Sequence, residues 1–431
     1  MTSLRGAFLA LAALACAALS LSFPFTATAQ QMGGERVYSG LEVFLANYTN
    51  YVAGKRVGLA TNPTAIDFKG RHIVDLLKAD KRINLVCLFA PEHGIRGEIA
   101  AGKVVPDMKD PKSGLPVYSL YGGKDHRPTK KQLDQIDVML FDMQDVGSRA
   151  YTYVWHMAEI MSACAEAGKQ VIVLDRPNPL GGEVVDGPIT EKQYLSFIGL
   201  YQVPRVYGMT MGEMASYLNK EEGINCGLIV IPMANYRRGM SFKDTGLPWV
   251  KPSPNISTPD AACCFAATGT IGELKSLNIA TGTPLAFQVV STGWINAEAA
   301  AEELNAYGLP GVVFAPVKGS VRKFDGSGSE ELNGVQLRIV SPKVFKPATT
   351  ELAIMCYLKS RYPEKFNCAP GAEKGFDKAM GTSSVRLGVM SGASWKSIAA
   401  KWNQPIEAFK AKRAKYLIAS YNPAAAPAKG Q

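Results

Sequence analysis

The sequence predicts an α/β fold, in which a doubly wound parallel sheet is followed by a smaller α+β domain. Short apolar runs rich in β-branched residues alternate with helical patterns over the first half of the chain. The runs are continuously apolar, which is typical of parallel strands covered by helices on both faces. The chain has 431 residues, more than one ordinary core accommodates, so we expect two domains.

The elements of the first domain follow one another in alternation. The predicted strands are Arg56 to Ala60, Ile83 to Phe89, Val117 to Leu120, Val138 to Phe141, Val171 to Leu174 and Leu228 to Ile231. The predicted helices between them are Ile73 to Ala79, Lys130 to Gln135, Tyr153 to Ala167 and Met211 to Glu222. This order predicts the doubly wound domain over residues 38–250.

A proline-rich stretch from Leu247 to Asn255 marks a change of organisation. Beyond it, the predicted strands are Leu285 to Val290, Val312 to Pro316 and Val335 to Val340. The predicted helices are Ala297 to Tyr307, Thr350 to Arg361 and Ser394 to Ala419. We expect the α+β domain to occupy residues 251–420 and the Ala- and Pro-rich tail, residues 421–431, to be disordered.

Residues 1–29 have the pattern of a secretory signal peptide. Arg5 supplies a positive charge, an apolar run extends from Ala7 to Leu21, and Ala27-Thr28-Ala29 provides a cleavage pattern before Gln30. The apolar run is shorter than the roughly 20 residues that span a bilayer. The sequence therefore predicts an exported protein, periplasmic or extracellular, without a stable membrane span after signal removal.

Composition excludes several classes of protein. Hydrophobic residues make up 47% of the chain and charged residues 19%, which does not fit a disordered or coiled-coil chain. The net charge of +10 favours an anionic partner or surface without naming it. The four histidines and the odd number of cysteines beyond Cys16 show no zinc-binding spacing, so we expect no metal.

Polar and ionisable residues follow the predicted strands, at the edge where open parallel sheets bind ligands. They are Asn62 after the first strand, Glu92, His93 and Arg96 after the second, Asp142, Gln144, Asp145 and Arg149 after the fourth, and Asp175, Arg176 and Asn178 after the fifth. Chance would scatter such residues over both ends of the sheet. Their concentration at one edge predicts a functional site there.

Several kinds of chemistry at this site are disfavoured because the sequence lacks their motifs. The first strand-to-helix turn has no G-x-G-x-x-G and no G-x-x-x-x-G-K-[ST] loop occurs, so we expect no nucleotide cofactor. No G-x-S-x-G elbow occurs, which argues against serine hydrolase chemistry. We also expect no nucleic acid partner. Carboxylate chemistry remains, with Glu92 as the best candidate. Beside the apolar run from Val86 to Ala90, desolvation is expected to raise the pKa of Glu92, so that it can protonate a glycosidic oxygen.

Six motifs in order resemble one family, the NamZ-type exo-β-N-acetylmuramidases. They are Pro91-Glu92-His93-Gly94 with Arg96-Gly97, Ser119-Leu120-Tyr121-Gly122, Gln144-Asp145-Val146-Gly147-Ser148-Arg149 with Tyr151-Thr152-Tyr153, Asp175-Arg176-Pro177-Asn178-Pro179, Gly208-Met209-Thr210 and Pro252-Ser253-Pro254-Asn255-Ile256. The resemblance covers about residues 38–420. It implies a Rossmann-like domain without a dinucleotide, a smaller C-terminal domain, and a cleft where terminal N-acetylmuramic acid is removed from peptidoglycan fragments.

The resemblance also implies roles for residues at matching positions. Glu92 corresponds to the catalytic acid, and His93 either contacts the sugar, orients Glu92 or is a core or capping histidine. Arg96 or Arg149 is a candidate partner for the lactyl carboxylate of muramic acid, although Asp145 and Arg149 are also placed to pair with each other.

The remaining candidates line the pocket or supply a second catalytic group. Asn62, Gln144, Asp175, Arg176, Asn178 and Asn255 are assigned to substrate binding, although the Asp-Arg-Pro-Asn-Pro segment also has good turn chemistry. Asp145, Asp142 or Glu273 would act as base or nucleophile, unless the substrate's own acetamido oxygen does so.

The chain also departs from the family pattern. Relatives typically carry an E-G-T-N segment followed by G-R-G-T, of which only Glu273, Gly282 and Thr283 are retained, with Thr281 at the arginine position. Two alternatives to muramidase activity therefore stay open. They are a non-catalytic cell-wall sugar-binding protein on the same fold and an exported glycosidase with altered sugar specificity.

We predict that protein recovered from the cell envelope begins near Gln30, because signal peptidase cleaves after a small-x-small pattern. N-terminal sequencing of that fraction checks the cleavage site. A sequence that begins at Met1 or Thr2 would contradict the signal peptide.

Overall fold

The computed structural model describes residues 25–26, 36–99, 102–122 and 126–422. Most of the predicted signal peptide and residues 423–431 of the predicted tail lie outside these ranges. The expectations for those segments therefore stay predictions.

Strands and helices alternate through the first half of the described chain and mix in the second. The strands are β1 (Phe25–Thr26), β2 (Arg56–Thr61), β3 (Asn84–Ala90), β4 (Met108–Lys109), β5 (Pro116–Ser119), β6 (Val138–Asp142), β7 (Gln170–Leu174), β8 (Asp186–Ile189), β9 (Pro204–Val206), β10 (Gly227–Ile231), β11 (Val289–Ser291), β12 (Val312–Arg322) and β13 (Ser329–Ile339). The helices are α1 (Gly40–Asn47), α2 (Ile73–Ala79), α3 (Lys130–Leu133), α4 (Tyr153–Glu166), α5 (Met211–Glu221), α6 (Pro259–Glu273), α7 (Ala297–Ala306), α8 (Pro347–Arg361), α9 (Glu373–Met380), α10 (Ser384–Met390), α11 (Trp395–Ala400) and α12 (Asn403–Arg413).

The main sheet has the strand order β1-β10-β7-β6-β2-β3-β5-β4. Its strands run parallel except for the short edge strand β4. After the short edge strand β1, the chain forms β2 in the centre, adds β3 and β5 on one side, and then adds β6, β7 and β10 on the other. This is the order of a dinucleotide-binding sheet, with its reversal between β2 and β6. The prediction of a Rossmann-like α/β domain is confirmed.

Helices cover both faces of this sheet, as the continuous apolar strands predicted. In β6, Met139 and Phe141 belong to the core that contains α4 and α5. Val138 and Leu140 of the same strand belong to the core that contains α1 and α2. Because side chains alternate between the faces of a strand, a strand buried on both sides has to be apolar at every position.

The C-terminal part is an α+β arrangement. Strands β11, β13 and β12 form an antiparallel sheet in that order, and α6 packs against α8 and α9. The α4 face of the main sheet shares one continuous core with these helices. The two parts of the chain are therefore held together by apolar packing.

Several predicted elements differ from the observed ones. The strand predicted from Leu285 begins only at Val289, because a turn precedes it in which Phe287 has a φ of 65°. The helix predicted over 394–419 is divided into α11 and α12. Helix α6 was not predicted, although Thr258 caps it and Pro259 occupies its first position, which is a helix-start signal.

The seven described cysteines all have free thiols. Five of them are buried, and Cys356 and Cys368 are half-buried. Within the described ranges, no helix is both long and apolar enough to cross a membrane.

The boundary predicted for the disordered tail is wrong at Tyr421. This side chain is fully buried, and its ring lies edge-on to Tyr236 with centroids 5.0 Å apart. Its hydroxyl donates to Asp175 (2.7 Å) and accepts from Met233 N (2.6 Å). The end of the described chain is therefore part of the fold.

Replacing Tyr421 with Ala should lower the free energy of unfolding by about 3 to 5 kcal/mol, because a large buried ring and two buried hydrogen bonds are lost. Urea denaturation measures the change. The control is Ser420→Ala at the exposed neighbouring position. A Tyr421→Ala protein as stable as the control would contradict the assignment.

Candidate active site

The candidate site lies where the strand order reverses between β2 and β6. Strand β2 is followed directly by Asn62, and β6 by a segment that contains Gln144; both side chains are buried. Thr64 joins them, because its hydroxyl donates to Asn62 Oδ1 (2.5 Å) and accepts from Gln144 N (2.8 Å). Ligands in open α/β sheets bind in the crevice at such a reversal.

Glu92 follows β3 in a sharp turn. His93 and Gly94 both have positive φ angles, 74° and 79°. For a residue other than glycine this conformation costs on the order of 1 to 3 kcal/mol, and such strain clusters at functional sites. Glu92 is half-buried, and its Oε1 accepts a hydrogen bond from Gly102 N (2.8 Å). His93 is buried and donates from Nδ1 to Ile99 O (3.1 Å), so the following loop fixes its ring.

The charge of Glu92 acts on two tyrosines. Burial raises the pKa of Tyr121, and the Glu92 carboxylate raises it further through its charge and a hydrogen bond. Burial also raises the pKa of Tyr153, and the charges of Glu92 and Asp145 act in the same direction. Because the effect of a charge falls with distance, Glu92 lies within electrostatic range of both phenols.

Tyr153 is the first residue of α4 and connects the site to the second half of the chain. Its buried hydroxyl donates to Pro252 O (2.5 Å), in the Pro-Ser-Pro-Asn motif. Asn62 Nδ2 is buried and, among the described residues, has no acceptor in hydrogen-bond geometry. The amide is near enough to lower the pKa of Tyr153 without forming a regular hydrogen bond. An unpaired buried donor is costly, and a polar ligand would satisfy it.

Asp145 is buried next to the start of α4. Its Oδ1 accepts from Gly147 N (2.8 Å) and the Tyr207 hydroxyl (3.0 Å), and its Oδ2 accepts from Val154 N (3.3 Å). Burial raises the pKa of Asp145 to about 6, against the effect of these hydrogen bonds. Since both oxygens are occupied, Asp145 holds the start of α4 in place.

Arg149 does not pair with Asp145, which was one of the two interpretations of this motif. Its guanidinium is fully buried and donates to three backbone carbonyls, those of Pro188 (2.9 Å), Val203 (3.1 Å) and Ala379 (3.1 Å). Ala379 lies in α9. Arg149 therefore joins the two parts of the chain.

The other two motif arginines also have internal partners. Arg96 forms a bidentate pair with Asp110 (2.7 and 2.9 Å) and a further bond to Asp75 (3.1 Å). Hydrogen bonding to Asp110 raises the pKa of Arg96, and the same bond lowers that of Asp110. Arg176 binds both carboxylate oxygens of Asp142. These pairs neutralise charge at the sheet edge.

Asp175 and Asn178 fix the turn before α5. Asp175 accepts hydrogen bonds from Gly212 N (2.7 Å) and the Tyr421 hydroxyl (2.7 Å), among others. Burial, helped by a neighbouring carboxylate, raises the pKa of Asp175 to about 7. Asn178 donates to Met209 O (2.9 Å). Both side chains are buried in contacts that agree with the turn interpretation of this motif.

Asn255 and Glu273 belong to the second half of the chain. Asn255 Oδ1 accepts from Gly282 N (2.7 Å), which ties the Pro-Ser-Pro-Asn motif to the segment that departs from the family pattern. Glu273 is the last residue of α6, has a side chain 41% exposed, and pairs with Lys275 (3.3 Å). In the part of the chain that the structure describes, no hydrogen bond or ion pair joins Glu273 to Glu92.

Sequence reasoning did not assign Tyr121 and Tyr153 to the site. Both lie within the motifs that carried the family resemblance, and Tyr153 immediately precedes a helical pattern. With Glu92 and Asn62, they provide a carboxyl group, two phenols and an unpaired amide. Among the described residues, no cluster of His, Cys, Asp or Glu has the arrangement of a metal site. The set suits proton transfer to a bound polar substrate.

Family models match almost the whole of the described chain. The N-terminal model of exo-beta-N-acetylmuramidase NamZ matches residues 57–260, and the C-terminal model of the same family matches residues 263–418. Only residues 261 and 262 separate the two matches.

Individual relatives agree with this assignment. A protein of Bacillus subtilis named peptidoglycan beta-N-acetylmuramidase NamZ is 39% identical over 89% of this chain and 91% of its own length. A crystal structure of a DUF1343 family protein from Bacteroides fragilis is 35% identical, with a TM-score of 0.82, and covers 89% of this chain and 99% of that one. A second B. fragilis structure of that family is 28% identical, with a TM-score of 0.68 and coverages of 89% and 98%. The chain belongs to the NamZ exo-β-N-acetylmuramidase family.

Proposed function

We propose that the protein is an exo-acting glycoside hydrolase that releases terminal β-N-acetylmuramic acid from peptidoglycan fragments. The observation that carries this proposal is the position of Glu92. It occupies the family's P-E-H-G motif, and its charge raises the pKa of two phenols, those of Tyr121 and Tyr153. The name of the B. subtilis relative supports the same reaction and substrate.

Glu92 is the proposed catalytic acid, which donates its proton to the glycosidic oxygen as the bond to C1 breaks. The other candidate carboxylates already form ion pairs or hydrogen bonds within the protein. Asp142 is paired with Arg176, Asp145 accepts three hydrogen bonds, and Glu273 pairs with Lys275. This favours the substrate's acetamido oxygen as the nucleophile at C1. Water then opens the cyclic intermediate and returns a proton to Glu92.

The proposed location follows from the N-terminal sequence. Residues 1–29 have the pattern of a secretory signal, and peptidoglycan fragments occur outside the cytoplasm. An exported protein, periplasmic or extracellular, would meet its substrate there.

A second candidate is an exported glycosidase with altered sugar specificity. Muramic acid differs from N-acetylglucosamine by a lactyl carboxylate, which a guanidinium would bind well. Arg96, Arg149 and Arg176 all have internal partners instead. Comparing turnover of a chromogenic β-N-acetylmuramide and the matching glucosaminide separates the two candidates, since an altered enzyme would prefer the glucosaminide.

Glu92→Gln should lower turnover of a β-N-acetylmuramide by on the order of a hundredfold or more, because the amide cannot deliver a proton. Stability should change little, since the replacement keeps the size of a half-buried side chain and can still accept from Gly102 N. Steady-state kinetics and thermal unfolding measure the two quantities.

The matched control is Glu98→Gln. Glu98 lies in the same loop, is exposed, and accepts one backbone hydrogen bond from Arg96 N (2.8 Å). The control should retain the parent's turnover. Near-normal turnover in Glu92→Gln, or an equal fall in both variants, would remove Glu92 from the acid role.

Arg96→Met should lower kcat/KM for the muramide and the glucosaminide by the same factor, because its guanidinium is already bound to Asp110 and Asp75. It should also destabilise the protein by about 1 to 3 kcal/mol, because the buried Asp110 loses its partner. Arg82→Met, which removes an exposed arginine paired with Asp80 just before β3, is the control. A loss confined to the muramide would assign Arg96 to the lactyl carboxylate.

A further inference from the structure

An aromatic strip, made of Tyr121, His126 and Phe197, begins beside Glu92 and lies outside the proposed catalytic groups apart from its first residue. The rings of Tyr121 and His126 are 6.1 Å apart and tilted by 42°. The rings of His126 and Phe197 are stacked, with centroids 3.6 Å apart and planes 16° apart. All three side chains are half-buried, so the strip keeps an accessible surface.

Buried contacts hold the strip from behind. The fully buried His156 lies edge-on to Phe197 at 4.9 Å and to His126 at 5.9 Å. At the other end, Ser119 Oγ accepts from Tyr121 N (3.0 Å) and donates to Tyr121 O (2.8 Å). The strip is therefore preorganised, which reduces the entropy cost of binding a ligand.

Apolar side chains continue the strip toward solvent. Val104 is 65% exposed, and Leu195, two residues before Phe197, is 40% exposed. Gly122 has a φ of 98° and lies so close to Val104 that a Cβ at this position would be 2.7 Å from Val104 Cγ1. The loop that carries Val104 also supplies Gly102 N to Glu92. One side of Glu92 is thus bordered by an accessible apolar surface.

The other surroundings of Glu92 are closed and polar. Tyr153 is buried under Pro252, and the unpaired Asn62 amide is buried beside it. An enzyme that removes a terminal sugar has to enclose that sugar and leave room for the rest of the saccharide. The closed polar side suits the terminal residue, and the open aromatic side suits the residue that remains.

We propose that the aromatic strip is the subsite for the leaving-group sugar, an N-acetylhexosamine whose ring packs its apolar face on Tyr121 and His126. This inference rests on the proposed function. Aromatic side chains are the usual lining of ligand sites because they offer large rigid apolar faces.

A cavity lies near the strip. It has a volume of about 520 Å³ and is lined in part by Ser119, Arg127, Thr129 and Gln132. Ser119 and Arg127 are close neighbours in sequence of Tyr121 and His126, and cavities of this size accommodate small ligands. A longer peptidoglycan fragment continues beyond the first leaving-group sugar. This cavity has space for that continuation.

The test compares two substrates that share the terminal sugar, the disaccharide N-acetylmuramyl-β-1,4-N-acetylglucosamine and β-N-acetylmuramyl fluoride. His126→Ala should lower kcat/KM for the disaccharide by about tenfold and leave that for the fluoride nearly unchanged, because fluoride places no sugar on the strip. His126→Phe keeps an aromatic ring and should restore most of the disaccharide activity. The control is Tyr307→Ala, a half-exposed aromatic that directly follows α7 and lies beside Trp395 of α11.

A binding measurement keeps the inference independent of catalysis. In the Glu92→Gln background, His126→Ala should weaken binding of the disaccharide but not of free N-acetylmuramic acid, as measured by titration calorimetry. Equal falls on both substrates, or unchanged disaccharide activity and binding, would overturn the subsite. A parent protein that hydrolyses neither substrate would overturn the proposed function, and the binding measurement would then still decide the role of the strip.

Discussion

The buried carboxylate of Asp145 fixes the start of helix α4, and the geometry of the candidate site depends on that position. Its oxygens accept from Val154 N and the Tyr207 hydroxyl, so the helix and the segment before α5 are held by one group. Tyr153 begins the same helix and reaches Pro252 across 99 residues of sequence. Burying the carboxylate is unfavourable, as its raised pKa shows, and three hydrogen bonds offset that cost. Asp145 is thus a positioning residue, which acts through Tyr153.

The other acidic residues at the sheet edge differ from Glu92, because their carboxylates are paired with arginines or surrounded by hydrogen-bond donors. Asp142 and Asp110 are held by arginines in bidentate pairs, and Asp175 is surrounded by donors. Such groups have no oxygen left for a substrate. Glu92 is half-buried and has a backbone donor and a phenol beside it. Its environment combines partial desolvation with access, which a group that exchanges protons with a substrate requires.

The surroundings of Glu92 are asymmetric, and this asymmetry relates the fold to the exo mode of action. The Pro-Ser-Pro-Asn segment covers the side of Tyr153 and Asn62, because the C-terminal part packs against the α4 face of the sheet. Nothing comparable covers Val104 in the described residues, where the side chain is largely exposed. This asymmetry agrees with a proposed site that encloses a terminal sugar and leaves room for the rest of the saccharide.

The sequence by itself determined the type of fold and the position of six strands of the main sheet, and it singled out Glu92 as the proposed reactive carboxylate. These depend on local features: a doubly covered strand such as β6 is apolar throughout, and Glu92 stands in a distinctive motif. Predictions from local pattern were wrong where contacts with distant parts of the chain decide the structure. Examples are Phe287, in the turn before β11, and Tyr421, whose hydroxyl donates to Asp175.

Only the tertiary structure decided which of the candidate polar residues have internal partners and hold the fold together. From the sequence alone, Arg149 and Arg96 were equally good candidates to bind the lactyl carboxylate. In the structure, Arg149 instead donates to backbone carbonyls that include that of Ala379, 230 residues away. Spacing within a motif does not encode such a partner. A buried polar group binds whatever donor or acceptor the folded chain brings to it, because an unpaired buried group is too costly to leave.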